Sequence, residues 1–265
     1  MQDLHMHCKF SFDSHTNPEE NIKSCINNNI KIMAFTDHID KYCQKNADDM
    51  TFDLDDYFST INHLREKYKK DIKILTGVEI GIAYENKDII NKIIKDNPFD
   101  FIIGSIHAVE FVDVWGQRKI IEKDPINSFR KYYSYMIDSV KAIKDFSVLG
   151  HIDYIDRYIN DKSLIPKYEL YEDLIEKLLK ELIDTNRGIE VNTAGFRNNL
   201  PHANPKDNIL KKYKLMGGDI ITLGSDSHTP DTCGYMIDET IKHLKDLGFG
   251  HISYFENKME KQIKI

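Results

Sequence analysis

Apolar and β-branched residues gather in seven short runs: DLHMHC at 3–8, KIMAFTDH at 31–38, IKILTGVEI at 72–80, FDFIIGSIH at 99–107, FSVLGHID at 146–153, GIEVNTAG at 188–195 and DIITLGSDSH at 219–228. Runs of this length, dense in Ile, Val and Phe, predict buried strands. Between them the period lengthens to that of a helix. Asn17 caps a helix over 18–29 with Pro18 at its first position. Further helices are expected over 55–70, 86–97, 125–144, 168–186, 205–216 and 234–247. The fourth opens at Asp124-Pro125. The fifth carries the stripe Leu170, Leu174, Ile175, Leu178, Leu179 and Leu182, and Gly217-Gly218 ends the sixth. The tail from His251 reads as a closing strand or hairpin.

Strands alternating with helices, without a compositional break, predict one α/β barrel spanning residues 1–265. Two connections are long enough to expect function there: 108–124, which holds the only tryptophan, Trp115, and 154–167, which holds Arg157.

The C-terminal ends of the predicted strands share a chemistry. They present His5 and His7 with Asp13 beyond, then Asp37 and His38, Glu79, His107, His151 and Asp153, Asn192 followed by Arg197, and Asp226 with His228. Barrel enzymes build their active sites at that end. Six of the eleven histidines fall there. A single strand-end histidine is more often a satisfied core residue, but the set is hard to obtain by chance. Imidazole and carboxylate donors without thiolates suit Zn, Mn or Fe(II). The donors exceed what one ion can use, so a cluster of two or three divalent ions is expected, able to clamp a phosphoryl group and activate a water.

Composition narrows the partners. The formal net charge is −7 and Lys and Arg are scattered, so neither a DNA nor an RNA ligand is expected. No run is long enough to span a bilayer and none resembles a leader. Cys8, Cys25, Cys43 and Cys233 form no C-x-x-C pair and read as reduced thiols of a cytoplasmic protein, monomer or homodimer.

The motifs HMH, TDH, GVE, SIH, GHID and GSDSH, in this order over residues 5–228, resemble those of the PHP (polymerase and histidinol phosphatase) family. That resemblance implies a distorted (β/α)7 barrel with a trinuclear metal centre. Carried over by position, His5, His7, Glu79 and Asp226 would hold one ion; Glu79 would bridge to a second held by His107 and His151; Asp13, His38 and His228 would hold the third. Many members carry histidine where Asp13 stands; the spacing favours Asp13, with His15 as the alternative. Arg157 and Arg197, two of only six arginines, resemble the phosphate-gripping arginines of the monofunctional histidinol-phosphatase branch, a role that suits the planar guanidinium fork. The implied reaction is direct hydrolysis of L-histidinol phosphate, a step of histidine biosynthesis.

Asp153 is the candidate proton donor, or alternatively a hydrogen-bonding support of His151; Asp37 has the same alternative toward His38. Glu110, Asp113 and Trp115 are the candidates for the histidinol end. Rival readings are a nucleotide phosphoesterase or exonuclease on the same barrel, another small phosphomonoester as substrate, and a non-catalytic metal-binding module.

Overall fold

A computed structural model describes residues 1–41 and 50–265; Cys43 lies outside the described residues. In chain order the elements are β1 (Gln2–Asp3), α1 (Pro18–Asn27), β2 (Ile32–Phe35), β3 (His38–Ile39), α2 (Leu54–Tyr68), β4 (Lys73–Gly81), α3 (Lys87–Asp96), β5 (Phe101–Ser105), β6 (Ala108–Val109), β7 (Val112–Asp113), α4 (Arg118–Lys123), α5 (Pro125–Ala142), β8 (Val148–Leu149), α6 (Glu172–Asp184), β9 (Gly188–Asn192), α7 (Ala194–Arg197), α8 (Asp207–Leu215), β10 (Ile221–Gly224), α9 (Ile237–Asp246), β11 (His251–Glu256) and β12 (Met259–Lys264).

The main sheet is parallel, in the order β1-β2-β4-β5-β8-β9-β10, and β3 resumes β2's place beside β4 with His38 opposite Glu79. Beyond β1 and β10 the chain closes the ring: Leu4 N–H donates to Leu223 O, Asp226 N–H to His5 O, and Met6 bridges Ser227. The result is a nearly closed α/β barrel of seven parallel strands, as the alternating pattern predicts. Each of the seven expected strands and seven expected helices has a counterpart, most with shorter bounds; β1, Gln2–Asp3, meets the expected run 3–8 only at Asp3, while β4 runs on to Gly81 and α2 begins at Leu54.

Two apolar layers hold the barrel. Leu4, Ala34, Leu75, Phe101, Ile103 and Val148 plug one end of its interior, joined by Ile220 and by Phe255 from the β11–β12 hairpin. A larger layer lies between strands and helices and includes Ile22, Tyr57, Ile90, Phe129, Leu178 and Leu182. Strand alternation then sets the interior polarity. Leu75, Gly77 and Glu79 share one face of β4, and Phe101, Ile103 and Ser105 one face of β5. Apolar side chains therefore fill the start of each strand, while polar ones face inward at its end.

The differences from the expected elements have local causes. The expected helix at 168 starts at Glu172, because residues 168–170 form a 3-10 turn. The expected helix at 205 starts at Asp207, because Lys206 is still extended (ψ 159°), its N–H donating to Asp153 Oδ2 (2.9 Å). Connection 108–124 is folded, as a tight hairpin through Glu110 and Phe111, both at positive φ, followed by α4. The one-turn α7 is too short to show a helical period; Asn192 Oδ1 accepts the Ala194 N–H at its start (3.0 Å).

Candidate metal and phosphate site

Glu79, 1% exposed, stands at the centre of the polar end of the barrel. Its Oε1 lies 3.1 Å from His107 Nε2, 2.8 Å from His151 Nε2 and 2.7 Å from Ser105 Oγ. Its Oε2 lies 3.0 Å from His5 Nε2, 3.1 Å from His38 Nδ1 and 3.5 Å from His7 Nε2. One carboxylate thus faces five imidazoles. Asp226 Oδ1 stands 3.4 Å from His7 Nε2 and 3.6 Å from His5 Nε2. Asp13 Oδ2 lies 3.2 Å from His228 Nε2 and 3.5 Å from His38 Nε2 at the open edge. Three overlapping groups can each face one ion: His5, His7 and Glu79; His38, Glu79 and His107; and His7, Asp13, His38 and His228.

The donor set fits metal. His5 Nε2 and His7 Nε2 stand 3.1 Å apart. Two nitrogens at about 2.0–2.1 Å from one tetrahedral ion are separated by about 3.3 Å, so the rings are spaced as co-ligands. Nitrogens on the far side of several rings are engaged elsewhere, which aims Nε2 inward. His5 Nδ1 meets Glu190 Oε1 at 2.5 Å, His107 Nδ1 meets Asp40 at 3.0 Å, and His228 Nδ1 meets its neighbour Asp226 O at 3.1 Å. His7 Nδ1 meets Ser11 Oγ at 2.9 Å, and Ser11 donates to Asp37 Oδ1, also at 2.9 Å.

The charges agree. Burial opposes the ionised form of Glu79, yet His5, His107 and His38 outweigh it and hold the carboxyl well below its usual range. Asp226 is lowered in the same way, against burial, by His5, His7 and Arg157. Conversely, burial works against a charged His5, but Glu190, Glu79 and Asp226 hold it well above the imidazole range; Asp40 and Glu79 do the same for His107. Burial, with His228 and His38 beside it, keeps His7 well below that range, and burial likewise lowers His151. In metal-free protein, protons on some rings balance carboxylates that cations can balance instead.

Arg157 and Arg197 reach the same carboxylate region. Arg157 Nη1 donates to Asp226 Oδ2 (3.0 Å), Nη2 to Asn192 Oδ1 (2.9 Å) and Nε to Asn204 Oδ1 (3.0 Å). Arg197 Nη2 donates to Ser225 O (2.7 Å) and Asp226 O (2.8 Å), while its Nη1 is buried with no hydrogen-bond partner among the described residues. Asp226 itself, at φ 55°, holds a left-handed backbone conformation, uncommon for a residue with a Cβ and typical of functional positions. Tyr154 lies over His151, ring centroids 4.6 Å apart, and Phe12 lies 5.3 Å from His38 at the rim.

Asp13, not His15, joins the imidazoles; His15 is exposed and lines a separate groove with Ser59 and His63. Asp153 is neither an accessible proton donor nor a support of His151. It is fully buried, accepts from Asn204 Nδ2 (2.6 Å) and Lys206 N, and His151 Nδ1 has no hydrogen-bond partner among the described residues. Asp37 supports His7 through Ser11 rather than the His38 ring. Glu110 pairs with Lys131 on the surface (2.7 Å), and Trp115 is 57% exposed with Arg118 stacked 4.0 Å from its ring. Among the described residues no hydrogen bond, ion pair or ring contact joins either to the imidazole cluster, because the tight β6–β7 turn carries this segment outward.

Glu190, Asp40, Ser11 and Asn204 are neighbours of the cluster that the motifs do not announce. Glu190 had one visible signal, a lone acid within the apolar run GIEVN. Its reach depends on glycine: a Cβ at Gly224 would stand 2.2 Å from His5 Cβ and 2.6 Å from Glu190 Oε1.

The chain belongs to the PHP domain family, whose model matches residues 3–194. It is 31% identical over 99% of its length to a histidinol-phosphatase of Lactococcus lactis, covering 98% of that protein. It is 34% identical to a probable histidinol-phosphatase of Clostridium acetobutylicum, with 98% of each chain covered. The crystal structure of histidinol phosphate phosphatase from Lactococcus lactis, complexed with zinc, L-histidinol and phosphate, superposes with a TM-score of 0.88 at 28% identity, covering 98% of both chains.

Proposed function

We propose that this chain is a metal-dependent phosphomonoesterase that hydrolyses L-histidinol phosphate to L-histidinol and inorganic phosphate. The observation that carries the reading is the placement of Glu79, whose two oxygens divide five imidazoles between them beside two arginines. End-to-end similarity to proteins bearing that name supports the choice of substrate.

His5, His7, Glu79 and Asp226 would hold one ion, Glu79, His107 and His151 a second, and Asp13, His38 and His228 a third, with zinc the first candidate and manganese or iron the alternatives. When bound, such ions neutralise phosphoryl charge and bring the pKa of a water toward neutrality. The protein supplies the rest. Arg197 Nη1 and the N–H groups Arg157 has left grip phosphoryl oxygens and stabilise their charge in the transition state. Ser105 and Glu190 hold Glu79 and His5 in place. Tyr154 covers His151 and shields that side from solvent. The leaving alkoxide departs toward the Asp13–His228 edge, where these side chains are 36% and 31% exposed and water can protonate it. The formal net charge of −7 disfavours a polyanionic substrate. Buried free Cys8, Cys25 and Cys233 suit a reducing cytoplasm.

The test is phosphate release by zinc- or manganese-loaded protein from L-histidinol phosphate, sugar phosphates, nucleoside monophosphates and short oligonucleotides. A strong preference for L-histidinol phosphate is expected. A flat profile, or activity on nucleotides alone, would overturn the substrate while leaving the metal reading.

A further inference from the structure

A second group of buried acids stands beside the barrel mouth. Asp153, Asp156 and the half-buried His202 offer ligand atoms within 4.8 Å of one another, the donor set of a cation site. The cation held there is an ammonium. Lys206 Nζ lies 2.5 Å from Asp156 Oδ2, 4.0 Å from Asp153 Oδ2 and 3.1 Å from Tyr171 Oη. Both carboxylates are 0% exposed, so removing the ammonium would leave buried charge uncompensated. Burial alone would lower the lysine, but Asp156 and Asp153 outweigh it and raise it above the usual amine range.

Asp153 connects this cluster to the catalytic side. Its Oδ2 accepts the Lys206 backbone N–H, and its Oδ1 accepts from Asn204 Nδ2 at 2.6 Å. That bond decides which way the Asn204 amide faces. With its NH2 on a carboxylate, its Oδ1 must turn to Arg157 Nε, 3.0 Å away; flipped, it would set oxygen against carboxylate and NH2 against guanidinium. The Asn204 backbone is fixed as well, exchanging two hydrogen bonds with Asn192 (2.7 and 2.8 Å). Asn192 in turn accepts from Arg157 Nη2. The guanidinium is thus held from three sides with two of its five N–H groups to spare.

We infer that Lys206, Asp153 and Asn204 form a positioning relay for Arg157. The Lys206 backbone N–H holds Asp153 and the ammonium, 4.0 Å away, balances its charge; the carboxylate orients the Asn204 amide, and the amide sets the guanidinium so that its remaining N–H groups meet phosphoryl oxygens. The relay rests on the reading of Arg157 as a phosphate-gripping residue. A small displacement of such a group costs one to two orders of magnitude in rate.

The experiment compares Asn204→Ala, Lys206→Met, Lys206→Arg, Arg157→Met and the double variant Asn204→Ala/Arg157→Met, all zinc-loaded. Metal content, the Kd of inorganic phosphate, and kcat and KM for L-histidinol phosphate are measured. Asn204→Ala and Lys206→Met should each weaken phosphate binding and lower kcat/KM about tenfold at unchanged metal content, with Lys206→Arg restoring most of both. Asn204→Ala should add nothing once Arg157 is already Met, because the two act as one unit. Should Lys206→Met fail to fold, Asn204→Ala leaves the ion pair intact and carries the test. Phosphate binding unchanged in Asn204→Ala, or additive losses in the double variant, would overturn the relay. Phosphate binding unchanged in Arg157→Met would overturn instead the reading of Arg157.

Discussion

His7 shows how much one residue can carry at this site. Its Nε2 stands 3.1 Å from His5 Nε2 and 3.5 Å from Glu79 Oε2, its ring stacks on His38 and His228 at 4.3 and 4.1 Å, and Ser11 fixes its tautomer. His7→Asn should lose zinc and at least 100-fold in activity while keeping the helical circular-dichroism spectrum of metal-free parent protein. Parental zinc content in this variant would sink the metal centre. Glu190 touches no candidate phosphate group, yet its two oxygens hold the His5 ring and the His151 backbone N–H (2.9 Å). Glu190→Gln should weaken zinc binding about 10–100-fold, the usual loss when a ligand's outer partner is altered, read by competition with a coloured chelator. These supports were hard to read from sequence. A lone Glu in an apolar run states that it must be paired, but not with which of eleven histidines.

At the scale of elements, strand ends and the few residues just past them deliver the candidate ligands, and the segments further on deliver the arginines. The strand-end residues were legible because a barrel strand's last inward residue must face the mouth. Arg197 was legible as a residue but not in its setting, since the one turn of α7 has no period to detect. Glu110 and Trp115 of the segment 108–124 were expected, with Asp113, to meet the histidinol end of the substrate. Two successive positive-φ residues fold the segment into a tight hairpin that points both side chains outward. Trp115→Ala should therefore leave KM for L-histidinol phosphate within about threefold of the parent, as exposed substitutions outside special features usually do. A tenfold rise in KM would place the tryptophan on the substrate after all.

For the whole molecule, the metal centre and the barrel are one electrostatic system. His5 and His107 lie well above the ordinary imidazole range because carboxylates surround them, so metal must displace protons. Zinc affinity should rise with pH through the region above about 6.5, with proton release measurable by titration in buffers of different ionisation heat. The metal-free protein should behave oppositely in stability. Above about pH 6.5 its folded state binds more protons at these rings than the unfolded chain does. Their contribution is complete below that pH and fades as pH climbs through the raised values. Melting curves at pH 6, 7 and 8, with and without chelator, should diverge with rising pH, since ligand binding to the native state alone stabilises it. Parallel curves would contradict this linkage.

The seven βα units and nearly every donor at the strand ends were legible from the residues alone, because period, turn chemistry and strand direction are local properties. Arg157 and Arg197 were legible near the mouth as well. How the donors are shared and supported depends on the closed barrel. Closure of the ring brings His5 against Glu190, 185 residues apart, and Glu79 beneath five imidazoles from four different segments. The same closure reassigned Asp153 from proton donor to a buried partner of Asn204 and Lys206. Burial and side-chain partner depend on residues distant in the chain, so no local pattern encodes them.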